Sequence, residues 1–207
     1  VSPPGSLVQL FCAVLRLVQR ARGTPGVGQV VIDSSGFLRG DMAREFKFNL
    51  IEGLKPLSLA VLEKERDELS PLTKAFRDDP SVRMERITTP SHGLRARSTE
   101  ERMAYRRECF RSYFAHARRF SLQMEDKARH GFVPHGGEKS VKGRLVGLLD
   151  RHHDMLALGI VQGYDPDGNT LQILSPPVNA GNVSNVQFGK YHLAAEAYVK
   201  FYLNVDY

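Results

Sequence analysis

The chain of 207 residues contains no tryptophan, only two cysteines, and no apolar run near the roughly 20 residues of a membrane-spanning helix. Its longest apolar runs are short and β-branched, as in Val30, Val31 and Ile32. Cys12 and Cys109 lie far apart and outside any Cys-x-x-Cys spacing, which argues against a disulfide framework or a cysteine zinc site. Both are expected to be buried thiols of a cytoplasmic protein. The N-terminus has no basic start and no cleavage pattern ahead of its apolar segment, so no signal peptide is expected. Val1 stands where an initiator Met would, as in a fragment or a processed chain. There is no internal repeat and no low-complexity tract. With 42% apolar and 25% charged residues, the composition is that of an ordinary globular protein holding one large domain or two small ones.

Lysine is missing from one long stretch, and arginine is concentrated there. Residues 83–119 contain ten Arg, four Glu and no Lys or Asp, so this stretch alone equals the net charge of +6 of the whole chain. Guanidinium groups offer planar, forked donors that match phosphate oxygens. A solvated helix with arginine chosen for helix propensity would have the same composition, and charge pattern alone leaves both readings open.

Periodicity predicts alternating helices and strands. Leu7, Leu10, Phe11, Val14, Leu17 and Val18 recur at helical spacing within residues 5–21. Residues 29–33 read as a buried parallel strand ending in Asp33. A second helix is expected over 41–53, with Met42, Phe46, Leu50 and Leu54 on one side. A strand over 57–62, a helix over 66–77 and a strand over 82–87 follow. This alternation implies βαβ units and a parallel sheet. Ser98 or Thr99 can cap a helix that carries Glu100 and Glu101 in its first turn, with Met103, Phe110, Tyr113, Phe114 and Ala117 as an apolar stripe. Arg102 and Arg106, and Arg107 and Arg111, pair at four-residue spacing as a basic face. Beyond residue 137 the pattern is β: segments 144–149, 155–164, 170–174, 186–192 and 199–205 predict five short strands, as a small antiparallel sheet or barrel.

Few motifs carry chemistry. Asp33, Ser34, Ser35, Gly36 and Phe37 follow an apolar run, where the carboxyl end of a buried strand would place a ligand. An Asp there can hold a magnesium-bound water, and Gly lets a phosphate approach the backbone. Asp33 to Gly36 also satisfies the short Asp-x-x-Gly pattern of GTPases. The matching Asn-Lys-x-Asp is absent, and Glu63 to Asp67 is only a distant echo of it. Two glycine clusters suggest a phosphate-binding loop and fail. Between Gly131 and Ser140, Gly137 and Glu138 intrude before the lysine, and no apolar strand precedes the cluster; Gly23 to Gly28 precedes a strand instead of following one. His152, His153 and Asp154 lack a metal-site spacing and read as a polar hairpin turn.

The order of these features resembles the polynucleotide 5′-hydroxyl kinase family. Ser2-Pro3 opens a helix, then come Asp33 to Phe37, a strand near Leu57 to Leu62, and Glu65-Arg-Asp-Glu-Leu69. Arg97-Ser-Thr-Glu-Glu-Arg102 then leads into Arg106 to Phe114, ahead of a β module containing Leu145 to Leu149, Leu158 to Val161 and Leu171 to Pro176. The resemblance implies the C-terminal part of a P-loop NTPase-like α/β fold, a parallel sheet with helices, followed by a small antiparallel β module. It implies ATP and Mg²⁺ as cofactors of the full-length protein, whose main binding residues would lie before Val1. The family's Thr-x-Gly-Trp-like nucleic-acid clasp would fall on Ser34, Ser35, Gly36 and Phe37 next to Asp33, with Ser replacing Thr and Phe replacing Trp. Phe keeps a smaller face for base stacking. The family's arginine lid would fall on Arg97 and Arg102, with Arg95 and Arg106 as neighbouring phosphate contacts. No metal ligands are assigned within the chain.

Two domains are expected, residues 1–125 as the kinase-like part with its lid helix and 138–207 as an accessory β domain. The expected partners are a nucleic-acid 5′ end, RNA or DNA, and the P-loop half, with no membrane. The alternative reading is a non-catalytic nucleic-acid-binding or assembly module of an RNA-processing complex that uses the arginine face.

Overall fold

The computed structural model describes residues 6–63, 65, 67–88, 97–133 and 141–193. The chain divides into two compact units, Val1–Arg95 and Ala96–Tyr207. That division falls before the arginine-rich helix, whereas the sequence places it between residues 125 and 138. The reason lies in strand pairing: residues 118–123 form a strand that pairs with residues 170–175, which ties this segment to the second unit.

In the first unit, α1 (Leu7–Arg22) and α2 (Asp41–Leu54) bury Val18, Phe46, Leu50 and Leu54 together, flanked by Leu7, Leu10, Phe11, Val14 and Leu15. Arg20 and Arg22 stand in the last turn of α1, where cations complement the helix dipole. Arg22 also donates to the Leu54 carbonyl at 3.3 Å. α2 starts after Gly40, whose φ of 85° suits glycine, and ends at Lys55 in the left-handed region. Strands β1 (Ser58–Glu63) and β2 (Arg83–Thr88) pair in parallel, Ser58 opposite Arg83 and Glu63 opposite Thr88. The crossover between them contains α3 (Ser70–Thr73) and a 3-10 turn, Lys74–Phe76, in place of the continuous helix expected over 66–77. Pro71 sits in the first turn of α3, where its missing N–H costs nothing, and it disfavours helix further upstream.

The strand expected over 29–33 is absent. Residues 27–33 have no regular structure, and Val31 is 92% exposed. Strand propensity expresses packing against neighbouring strands, and among the described residues no strand pairs with this run.

The second unit opens with α4 (Thr99–Phe114) and continues as β3 (Arg118–Gln123), β4 (Ala128–Gly131), β5 (Arg144–Leu149), β6 (Met155–Asp165), β7 (Thr170–Ser175) and β8 (Asn185–His192). The six strands form one sheet in the order β3-β7-β6-β5-β8-β4, antiparallel except for the parallel pair β4 and β8. The two edge strands are consecutive in sequence. Five peptide steps join Gln123 to Ala128 and span at most about 18 Å, while six flat strands would hold their edges about 24 Å apart. The sheet must therefore curl back on itself like a barrel. Its interior holds Leu122, Val146, Leu148, Val161, Leu171, Ile173, Val186 and Phe188. Gly131, at φ 82°, is needed where an added Cβ would lie 2.5 Å from the Phe188 carbonyl oxygen. The expected antiparallel module is thus a mixed sheet, because β4 joins it parallel to β8. The strand expected over 199–205 lies outside the described residues.

Cys12 and Cys109 are exposed, against the expectation of buried thiols. Cys12 lies off the buried stripe of α1, and α4 buries only Phe114. For the same reason the stripe expected on α4 is largely solvated, with Met103 47% and Tyr113 42% exposed.

Candidate phosphate and nucleic-acid contacts

The turn at residues 33–37 is held from below by a lysine. Along α2 the positions facing inward are Ala43, Phe46, Lys47, Leu50 and Leu54. Lys47 thus occupies a core position of an amphipathic helix, with 4% of its surface exposed. Its ammonium donates to Ser34 Oγ at 2.9 Å and to the Ser35 carbonyl at 2.7 Å. Burial lowers the pKa of Lys47, and the nearby Asp33 charge opposes that shift. Two of the three ammonium donors are thereby bonded, which offsets part of the cost of burying the charge. Asp33, Ser34, Ser35 and Gly36 are exposed, and Phe37 is half-buried. A Cβ at Gly36 would meet nothing within 4 Å, so the turn remains open to solvent.

A polar network closes the carboxyl ends of β1 and β2. Glu63, 2% exposed, accepts from the Leu69 N–H at 2.9 Å and lies 3.6 Å from the Arg86 guanidinium. Arg86 also donates to Thr73 Oγ1 at 2.7 Å and pairs with Asp67. Glu63 and Asp67, the two ends of the distant echo of a guanine-reading motif, are therefore engaged within the fold, tying the crossover to β2.

In the second unit, Ser98 and Glu101 form a capping box: Ser98 Oγ accepts from the Glu101 N–H at 3.2 Å, and Glu101 Oε2 accepts from the Ser98 N–H at 2.8 Å. The cap fixes the start of α4 and brings Arg97 and Arg102 together. Arg102 donates to the Arg97 carbonyl at 3.0 Å and to Thr99 Oγ1 at 3.3 Å. The Arg97 guanidinium lies 5.4 Å from the centre of the Tyr105 ring, a cation–π distance. Arg102, Arg106 and Arg107 are exposed, and Arg111 pairs with Glu108 at 2.7 Å. Arg95 lies outside the described residues. Asp33 to Phe37 belong to the first unit, and Arg97, Arg102 and Arg106 to the second.

His152 to Asp154 form the hairpin turn between β5 and β6, where the Asp150 carboxylate accepts from the N–H groups of His152 and Asp154 at 2.8 and 2.9 Å. Among the described residues, no group of three or more His, Cys, Asp or Glu is placed to hold a metal ion. None of the described helices is long and apolar enough to cross a membrane.

Sequence reasoning missed Lys47. The signal was present: a lysine on the apolar side of α2. Assigning Met42 to that side obscured it, since Met42 is 56% exposed and Ala43 faces the core.

Residues 2–116 match the family described as mRNA cleavage and polyadenylation factor CLP1 P-loop, and the chain belongs to that family. The resemblance to polynucleotide 5′-hydroxyl kinases holds with it. The chain is 23% identical to the polyribonucleotide 5′-hydroxyl-kinase of Methanocaldococcus jannaschii, over 78% of this chain and 58% of that protein. Two solved structures share its fold. The wild-type Clp1p–Pcf11p complex matches with a TM-score of 0.61, and a Clp1p–Pcf11p structure that accounts for ATP loss in a point mutant matches with 0.59. Each covers 91% of this chain and 52% of the other, at 15% identity. The chain thus spans about half the length of the relatives it matches.

Proposed function

We propose that this chain is part of an ATP-dependent polynucleotide 5′-hydroxyl kinase-like protein, and that it supplies an acceptor clasp and an arginine lid for phosphoryl transfer to a nucleic-acid 5′-hydroxyl. Asp33, Ser34, Ser35, Gly36 and Phe37 form the clasp; Arg97 and Arg102 form the lid, with Arg106 and Arg95 as further phosphate contacts. The observation that carries the reading is the start of α4, where a capping box fixes the helix end, the exposed Arg102 guanidinium bonds the Arg97 carbonyl, and the exposed Arg97 guanidinium lies against the Tyr105 ring. ATP and Mg²⁺ fit this residue set in part. The arginines suit nucleotide phosphates, while the sequence contains no Gly-x-x-x-x-Gly-Lys-Ser/Thr loop and the described residues form no metal cluster. When bound, ATP supplies the phosphoryl group. The part left to this chain is to hold the acceptor end and to offset charge that develops on the transferred group.

The test uses the protein of the complete reading frame, incubated with γ-labelled ATP, Mg²⁺ and 5′-hydroxyl oligonucleotides. Label on the 5′ end is expected; its absence refutes the reading. Arg97→Ala and Arg102→Ala should lower turnover more than oligonucleotide affinity, because lid arginines act on developing charge. Equal losses would favour the second reading, a non-catalytic nucleic-acid-binding or assembly module. The exposed Arg106 and Arg107 support that alternative. It predicts oligonucleotide binding by this chain that weakens steeply with salt.

A further inference from the structure

We propose that Lys47 is a positioning residue for the acceptor turn: its ammonium, bonded to Ser34 Oγ and the Ser35 carbonyl, sets the shape in which residues 33–37 meet the acceptor strand. The inference rests on the clasp reading above.

Three observations carry it. Lys47 stands on the stripe of α2 that elsewhere carries Ala43, Phe46, Leu50 and Leu54, where an apolar residue would pack at no electrostatic cost. Both hydrogen bonds of its ammonium go to the turn and neither to the body of the helix pair. The turn has little else to hold it, because residues 27–35 lie outside any helix or strand and Asp33 to Gly36 are exposed. A buried lysine directed at an open turn therefore does little for the core and much for the shape of the turn. The nearby Asp33 charge helps to keep the ammonium protonated against its burial, so both bonds are retained.

A purely structural lysine and a positioning lysine predict different outcomes for Lys47→Met. Methionine fills the same volume without the buried charge, and Ser34 and Ser35 are exposed enough for water to satisfy their oxygens. The melting temperature should hold or rise. KM for a 5′-hydroxyl oligonucleotide should rise on the order of tenfold, the size of one hydrogen bond to a charged group, with kcat nearly unchanged. Ser34→Ala, which removes an exposed hydroxyl and no core contact, should raise KM in the same direction. The double variant should lose less than the sum of the two single losses, because both changes break the Lys47–Ser34 bond.

The measurements are steady-state kinetics and thermal melts on the complete protein, with oligonucleotide affinity by fluorescence anisotropy. Unchanged KM and affinity in both single variants would overturn the inference, as would additive losses in the double variant. Should Lys47→Met fail to fold, Lys47→Arg, which keeps the charge but moves the donors, takes its place: an affinity equal to that of the parent protein overturns the inference, and a loss that salt rescues in neither Lys47→Arg nor Ser34→Ala supports it. A complete protein that binds the oligonucleotide but transfers no phosphate refutes the kinase reading, while the affinity series still decides the role of Lys47.

Discussion

Replacing Ser98 by alanine isolates the device that fixes the start of α4, where the proposed lid arginines stand. The substitution removes the acceptor of the Glu101 N–H and leaves the Glu101 carboxylate with half of a reciprocal pair. Loss of such a cap costs about 1 kcal/mol, which is roughly fivefold in an opening equilibrium at about 1.4 kcal/mol per factor of ten. No tertiary packing compensates for it, because Phe114, in the last turn, is the one residue of α4 that is fully buried. The effect should therefore stay local. The Arg102 N–H, which bonds the Ser98 carbonyl at 3.1 Å, should exchange with solvent about fivefold faster, while amides of β6 and β7 keep their protection and the melting temperature holds. Turnover in the complete protein should fall only as far as the frayed fraction rises, which makes exchange the sharper assay. Unchanged exchange at Arg102, or a loss of protection that spreads through the sheet, would refute the view that the cap acts alone at this end of the helix.

Two further substitutions test the second unit. Gly159→Ala would place a Cβ 2.5 Å from Ile173 Cγ2, a methyl fixed to the β-carbon of a fully buried residue. Overpacking of this kind costs about 1–3 kcal/mol, and a domain of this size should lose roughly 4–8 °C for each of them in a thermal melt followed by circular dichroism; an unchanged melt would show that the sheet yields. Asp150 has a lowered pKa, held down first by the Asp154 N–H, against the opposing effect of burial, and then by the His152 N–H. A depressed carboxylate adds stability above its unfolded pKa near about 3.9, and that stability is lost as pH falls through the folded value. Asp150→Asn should therefore melt below the parent protein at neutral pH and converge with it in acid, and a gap that stays constant from neutral pH down to about pH 3 would contradict this.

Where the signal was local, the sequence was a sufficient guide. Leu7, Leu10, Phe11, Val14 and Val18 mark the inner face of α1 without any knowledge of its partner, and Ser98 with Glu101 marks the start of α4 because a capping box involves only four consecutive residues. β6 and β7 are legible because a Pro-Asp-Gly turn separates two apolar runs. What failed depended on distant neighbours. Val30 to Ile32 have the composition of a strand, but a strand exists by pairing, and here they remain exposed. β3 was hidden the other way: its arginines mask the alternation in which Phe120 and Leu122 turn inward, and its place becomes evident only once β7 is set beside it. In the candidate site, the concentration of arginine was legible from charge, while its assignment to Arg97 and Arg102 came from the family resemblance. Lys47 was not legible: Phe46, Leu50 and Leu54 mark the inner face of α2 correctly, but a charged residue beside them is ordinarily solvated, and only the acceptors of the turn make its burial tolerable.

The anchoring of α4 bears on how its arginines would work. The helix is fastened to its unit near one end: Phe114 is buried, and the Tyr113 hydroxyl accepts from the Leu158 N–H at 2.8 Å. Arg102 lies twelve residues before Phe114, about 18 Å of helical rise away. A helix whose buried anchor is at one end is expected to fray first at the other, so the proposed lid role predicts motion of Arg102 while the sheet stays fixed. That suits groups that close over a phosphate and then release it, and it suits poorly a rigid surface that only positions a strand. The same exchange measurement reads the difference. Protection along α4 should rise steadily from Arg102 to Phe114, whereas a flat profile would mean that the helix opens as one body and that its arginines form a fixed patch.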